Sequence, residues 1–292
     1  MTNSDRSPLR RAAALLRRCS RNKRLNSNPV GGEPYRDIQL KVIRMKLEGK
    51  TAVITGAGRG IGRATAHALA REGCNIVLAA PEVDQIEAVA AEIRAIGPQA
   101  LAVPTDIGLK SQVIALADAS FARFGAVDIL VNNAGVAIHN AIPNIKEEDW
   151  DWMMTINLKG TFLCTQAFFT HMCERRTGHI VNIVSRAGKQ ASAKFGAYAA
   201  SKFGMLGFTQ TTDAEGIEFG VKATALCPGA VDTQQRSENH VDDRSTLLQP
   251  EDIADYVAFI VTRPARVYIA EATPVSQFMK PLPGTGYLKP GI

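Results

Sequence analysis

From Thr51 onward, short apolar runs alternate with longer stretches of helical periodicity. Thr51–Thr55, Asn75–Ala79, Ala100–Val103, Asp128–Val131, His179–Val184 and Val221–Leu226 are short, largely apolar runs that read as buried strands. Between and after them, Ile61–Arg71, Val83–Ile96, Leu109–Phe124, Glu147–Glu174, Tyr198–Phe219 and Pro250–Val261 read as helices. Val267–Glu271 predicts a last strand.

Strands separated by helices imply right-handed crossovers, and so an α/β architecture. The expected fold is a single doubly wound parallel sheet of the Rossmann type, with helices on both faces, spanning residues 45–272 without an internal repeat. Ligands in such sheets bind beyond the carboxyl ends of the strands. Directly after the first strand comes Gly56-Ala-Gly-Arg-Gly-Ile-Gly62, opening the first helix. Glycines there permit a tight turn and a close approach of backbone to pyrophosphate, with the helix N-terminus supplying N–H groups.

Composition changes this picture little. The 292 residues are 46% apolar, which suits one sizeable core, and no apolar run reaches the ~18 residues of a membrane-spanning helix. Five scattered cysteines without C-x-x-C spacing argue for reduced thiols in a cytoplasmic protein, against a disulfide framework and against a metal site. The net charge of +6 suggests nucleic acid until it is located. Residues 1–44 hold 11 basic and 3 acidic side chains, whereas the remaining 248 residues hold 23 and 25. The body is therefore slightly acidic, and neither a nucleic-acid nor a membrane partner is expected. Residues 1–44 read as a start upstream of the natural one, which Met45 would supply, as a disordered basic arm, or as an organelle-targeting presequence. Residues 273–292 read as a Pro/Gly-rich tail.

The candidate chemistry centres on Tyr198 and Lys202, four residues apart and so on one helix face. A lysine ammonium near a phenol lowers the phenol's pKa and makes it a usable acid–base at neutral pH. The pair is preceded by Ser185, 13 residues upstream, and by Asn157 in a helical segment where asparagine is not favoured.

Thr55-Gly-Ala-Gly-Arg-Gly-Ile-Gly62, Asn132-Asn-Ala-Gly135, Asn157, Ser185 and Tyr198-x-x-x-Lys202, followed by Pro228-Gly229 and Thr233, occur in that order. In this the chain resembles the short-chain dehydrogenase/reductase family in its common single-domain form, from about Met45 to about Glu271. The resemblance implies a nicotinamide-dependent oxidoreductase acting on a ketone or secondary alcohol. Tyr198 would be the general acid–base, and Lys202 would lower its pKa and bond the nicotinamide ribose. Ser185 would hold the substrate oxygen, and Asn157 would open a helical bond and hold a water that links Lys202 to solvent. Thr55, Gly56, Arg59, Gly60, Ile61 and Gly62 would take the pyrophosphate and adenosine, Asp106 the adenine, and Asn132, Ala134 and Gly135 would pack beside the adenosine and stabilise the central sheet. Pro228, Gly229, Val231 and Thr233 would hold the carboxamide. Relatives commonly form homodimers or homotetramers through the two long helices, here about 147–174 and 198–219.

Ala80 stands where an NAD-selective acid would end the second strand, and Arg59 could pair with a 2′-phosphate. Pro81 and Glu82 offer no further cation, and the balance favours NADP(H) over NAD(H). The 16 residues between Thr233 and Pro250, where the family carries its substrate lid, are polar and poor in aromatics, which suggests an open pocket. The alternative to an active enzyme is an idle cofactor-binding relative serving as redox sensor or scaffold. The complete Asn, Ser, Tyr and Lys set argues against it.

Overall fold

The computed structural model describes residues 45–239 and 243–278. The expectations for residues 1–44, and for the tail beyond residue 278, lie outside them. Among the described residues, seven strands form one sheet: β1 (Thr51–Thr55), β2 (Asn75–Ala80), β3 (Ala100–Pro104), β4 (Ile129–Asn132), β5 (Gly178–Ile183), β6 (Val221–Leu226) and β7 (Glu271–Ala272). Every pairing is parallel, in the order β3-β2-β1-β4-β5-β6-β7. The helices are α1 (Gly60–Arg71), α2 (Val83–Ile96), α3 (Lys110–Phe124), α4 (Glu147–Met153), α5 (Thr161–Glu174), α6 (Gly196–Gly216), α7 (Gln234–Asn239) and α8 (Pro250–Val261).

A parallel sheet covered on both faces needs strands that are apolar on both sides. β1 shows this residue by residue. Ala52 and Ile54 pack into the core under α1, α2 and α8, and Val53 packs into the opposite core under α3 and α5. β2 divides the same way, with Ile76 and Leu78 on one face and Val77 and Ala79 on the other. The chain builds outward from β1 to β3, then returns to lay β4 against the free side of β1. The chain leaving β1 therefore runs to a helix on one face, α1, and the chain leaving β4 to a helix on the other, α5, which leaves a crevice at the sheet's carboxyl edge.

Three elements differ from the sequence reading. The single helix expected over 147–174 is α4 and α5 joined by a π-helical segment, Met154–Gly160, within which Asn157 lies. The strand expected over Val267–Glu271 shrinks to Glu271–Ala272. Just before it, side chains of β6 take carbonyls a ladder would use: Lys222 Nζ donates to Val267 (2.9 Å) and Thr224 Oγ1 to Ile269 (2.6 Å). The polar stretch after Thr233 also contains a helix, α7, that polarity alone did not suggest.

Candidate active site

The loops at the carboxyl ends of the first six strands enclose a cavity of about 690 Å³, within the range of cofactor and ligand pockets. Its first wall is the loop from β1 into α1. Gly56 sits at φ +62°, a left-handed conformation that side chains disfavour. Gly62 is needed for space, because a Cβ there would lie 2.2 Å from the Gly56 carbonyl oxygen. Helix α1 begins without a side-chain cap, so its first N–H groups are open to an anionic ligand. Thr55 is buried behind this loop. Its Oγ1 accepts from the N–H groups of Asn133 and Ala134, both at 3.0 Å, while the Asn133 side-chain amide donates to the Thr55 and Gly56 carbonyls. The glycine loop is thus tied to the loop after β4.

At the outer end, Arg59 and Glu82 are exposed on the rim, and Ala80, the last residue of β2, lines the cavity with Pro81. Arg59 makes no ion pair among the described residues. Asp106 lines the cavity after β3, oriented by the Gly108 N–H on its Oδ1 (2.8 Å). Ala134 and Gly135 line it as well, but Asn132 does not. The Asn132 amide turns into the protein and donates to Asn182 Oδ1 (2.8 Å) and Thr165 Oγ1 (3.2 Å). Asn182 in turn donates to Thr209 Oγ1 (2.8 Å), so this buried chain joins β4 and β5 to α5 and α6. Asn133 holds the position facing the cavity.

Asn157 also lies behind the wall. Its Oδ1 accepts from the Val136 N–H, and its Nδ2 donates to the Val136 carbonyl and to Ser201 Oγ. Tyr198, Lys202 and Ser185 line the cavity. Ser185 lies two residues beyond β5, where its Oγ accepts from the Ala187 N–H (3.1 Å) and its hydroxyl is placed to donate to the Tyr198 oxygen. Burial pushes the Tyr198 phenol above its usual range, while the Ser185 hydroxyl and the positive charge of Arg236 act in the opposite sense. Lys202 is buried, which brings its ammonium down to about 8. Its Nζ donates to the Ile183 carbonyl at 2.9 Å and lies 5.8 Å from the Tyr198 ring centroid. The shared helix face expected from the spacing is present, with the ammonium beside the ring and held by the end of β5.

The far wall follows β6. Pro228, Gly229 and Val231 line it, and Val231 bridges to Leu248. Thr233 closes over the first loop, its Cγ2 standing 3.4 Å from where a Cβ on Gly60 would be. Aromatic side chains missed in the sequence come from elsewhere than the polar 234–249 stretch. His139 and Phe195 stack at 4.0 Å and 19°, and each meets the Tyr198 ring edge-on, at 5.8 and 6.1 Å. Phe195 is the residue just before α6, so the helical spacing that pairs Tyr198 with Lys202 does not reach it. His139 carries no signal either.

Two features of this geometry define a class: a glycine-looped crevice at the switch point of a parallel sheet, and a tyrosine, serine and lysine on its inner wall. Residues 50–244 match the family model described as short chain dehydrogenase. The 3-oxoacyl-[acyl-carrier-protein] reductase of Synechocystis sp. is 36% identical over 234 residues, covering 78% of this chain and 95% of that one. Among solved structures, an alcohol dehydrogenase from the archaeon Thermococcus sibiricus, complexed with 5-hydroxy-NADP, matches with a TM-score of 0.75 and 30% identity over 80% of this chain and 99% of that one. A metagenomic short-chain oxidoreductase in complex with NADP matches with a TM-score of 0.71 and 35% identity, over 79% and 98%. The chain belongs to the short-chain dehydrogenase/reductase family and is an NAD(P)-dependent oxidoreductase. None of its described helices is long and apolar enough to cross a membrane.

Proposed function

We propose that the protein reduces a ketone to a secondary alcohol, or runs the reverse reaction, with NADP(H) as cofactor and Tyr198 as general acid–base, and that residues 45–272 suffice for this. The observation that carries the reading is the grouping of the Tyr198 phenol, the Ser185 hydroxyl and the buried Lys202 ammonium on one wall of a cavity that begins at a glycine loop. The cavity residues fit a dinucleotide. Gly56 and Gly62 leave room for backbone to approach a pyrophosphate, and the uncapped α1 N-terminus favours its charge. Arg59 would pair with a 2′-phosphate, and the NADP-bound state of similar structures supports that choice.

When bound, the nicotinamide supplies or receives the hydride. In reduction, Tyr198 gives its proton to the oxygen as the carbonyl carbon is reduced, and the resulting phenolate is reprotonated from solvent. Ser185 donates to the same oxygen and stabilises the charge that develops there. Lys202, positive at pH 7 with its pKa near 8, stabilises the phenolate left behind. The raised phenol keeps Tyr198 protonated through neutral pH, which suits it to the reductive direction. Asn157 and Asn132 are positioning residues, holding Val136 and the ends of β4 and β5.

Tyr198→Phe tests the reading. It removes the proton donor without altering the wall, so kcat for ketone reduction should fall by about 10²-fold or more while NADPH affinity stays within threefold. Wild-type turnover in that variant would overturn the role of Tyr198.

A further inference from the structure

The two ends of the cavity differ in charge, and the strand order is the cause. Its lining carboxylates among the described residues, Glu82 and Asp106, follow β2 and β3. Arg186 follows β5 and Arg236 lies on α7 after β6, and both line the cavity. From β5 the sheet runs through three pairings to β2 and four to β3, which at ~4.8 Å each is roughly 14 and roughly 19 Å. The acids are therefore remote from the reacting end, whose described lining contributes cations and no carboxylate.

Arg236 is placed by its chain. Its backbone N–H donates to the Thr233 carbonyl (3.0 Å) and to Thr233 Oγ1 (3.3 Å), which sets the start of α7 over the cavity. The guanidinium is close enough that its charge acts on the Tyr198 phenol. The stacked His139 and Phe195 rings form a flat surface beside the phenol. A compound with its carbonyl at Tyr198 would meet both a positive charge and an aromatic surface.

We propose that the substrate is an anionic carbonyl compound, a keto acid or its alcohol with a carboxylate a few bonds from the reacting carbon, and that Arg236 receives the carboxylate. This rests on the ketone-reductase reading above. A charge-assisted hydrogen bond from guanidinium to carboxylate, in a site partly closed to water, discriminates an acid from its ester by about tenfold or more.

The test uses the full chain, NADPH, and a series of 2- and 3-keto acids of four to ten carbons with their methyl esters. NADPH binding is measured separately by fluorescence. Acids should exceed esters in kcat/KM by at least about tenfold in wild type. Arg236→Gln should bring that ratio close to one, and Arg236→Lys, which keeps the charge, should retain most of it. Esters reduced as well as acids would overturn the inference and leave the reductase reading intact. The same holds if NADPH binds and no member of the series is reduced, or if Arg236→Gln leaves the ratio unchanged. A protein that neither binds NADPH nor reduces any member would instead sink the reductase reading.

Discussion

Asn157 holds Val136 by both of its backbone groups. Its Oδ1 accepts from the Val136 N–H at 2.7 Å, and its Nδ2 donates to the Val136 carbonyl at 2.9 Å. The second Nδ2 proton reaches Ser201 Oγ at 3.0 Å, one residue before Lys202. One buried amide therefore sets the loop after β4 against the helix that carries Tyr198. The π-helical segment turns Asn157 to that position, displacing it from the face a continuous α-helix would give it.

Asn157→Ala leaves two backbone groups of Val136 without their partner. Each lost bond of this kind costs about 1–3 kcal/mol where water does not replace it. The expected loss of stability is about 2–4 kcal/mol, read in urea, together with a reduced kcat as Val136 and α6 lose their mutual register. Asn157→Asp keeps the acceptor and loses the donor, so it should recover part of the stability near neutral pH. Equal stability of wild type and Asn157→Ala would show that water fills the gap.

Much of this arrangement was legible in the sequence, for identifiable reasons. The strands were readable because a sheet buried on both faces demands continuous apolar runs. β1, α2, β6 and α8 have the bounds that the pattern predicted. Glycines 56 and 62 were readable because their geometry admits no other residue. The π turn was not, since a helical period does not register one inserted residue. Nor was the inward turn of Asn132, because adjacent asparagines at a strand end look alike until alternation assigns one to each side. β7 was overestimated because Lys222 and Thr224 compete for its carbonyls, a contact between segments 45 residues apart. His139 and Arg236 reach the reacting end through folding alone.

Arg59 offers a test of cofactor choice. It is exposed on the rim at the end of the cavity nearest β2, without an ion pair among the described residues. A guanidinium in that state gains more from a 2′-phosphate than from a ribose hydroxyl. Arg59→Ala should weaken NADPH binding by about tenfold and leave NADH within about twofold, as measured by fluorescence titration. Equal losses for both would place Arg59 at the shared pyrophosphate.

Two glycines should respond to alanine in opposite directions. At Gly62 the added Cβ would stand 2.2 Å from the Gly56 carbonyl oxygen and 2.7 Å from Asn133 Nδ2, so the loop must move. Gly62→Ala should cost about 1–3 kcal/mol and weaken NADPH binding, since the displaced groups form the cradle. Gly207 lies inside α6 with nothing within 4 Å of a Cβ. There alanine should stabilise by about 0.5–1 kcal/mol, because a helical glycine loses more backbone entropy on folding. Thermal melts of both variants with and without NADPH separate the effects. A destabilised Gly207→Ala would mean that another surface packs against that face of α6.

His179 gives the fold an acid-sensitive point remote from the cavity. Its Nε2 lies 2.9 Å from Thr224 Oγ1, whose proton goes to the Ile269 carbonyl, so Nε2 carries the hydrogen and donates. Burial, helped by the charge of Lys222, holds the imidazole down to about 4 from an ordinary 6.5. Below pH 6.5 the unfolded chain binds a proton here that the folded chain refuses, so ν for the unfolded state is the larger and stability falls as pH falls. The contribution is fully present above 6.5, is lost progressively toward 4, and is at most about 3 kcal/mol in all. His179→Gln keeps a donor for Thr224 and removes the titration. Relative to wild type, the variant should be about 2 kcal/mol better placed at pH 4.5 than at pH 7.5, measured in urea at both. A stability difference independent of pH would mean that His179 accepts its proton within the fold.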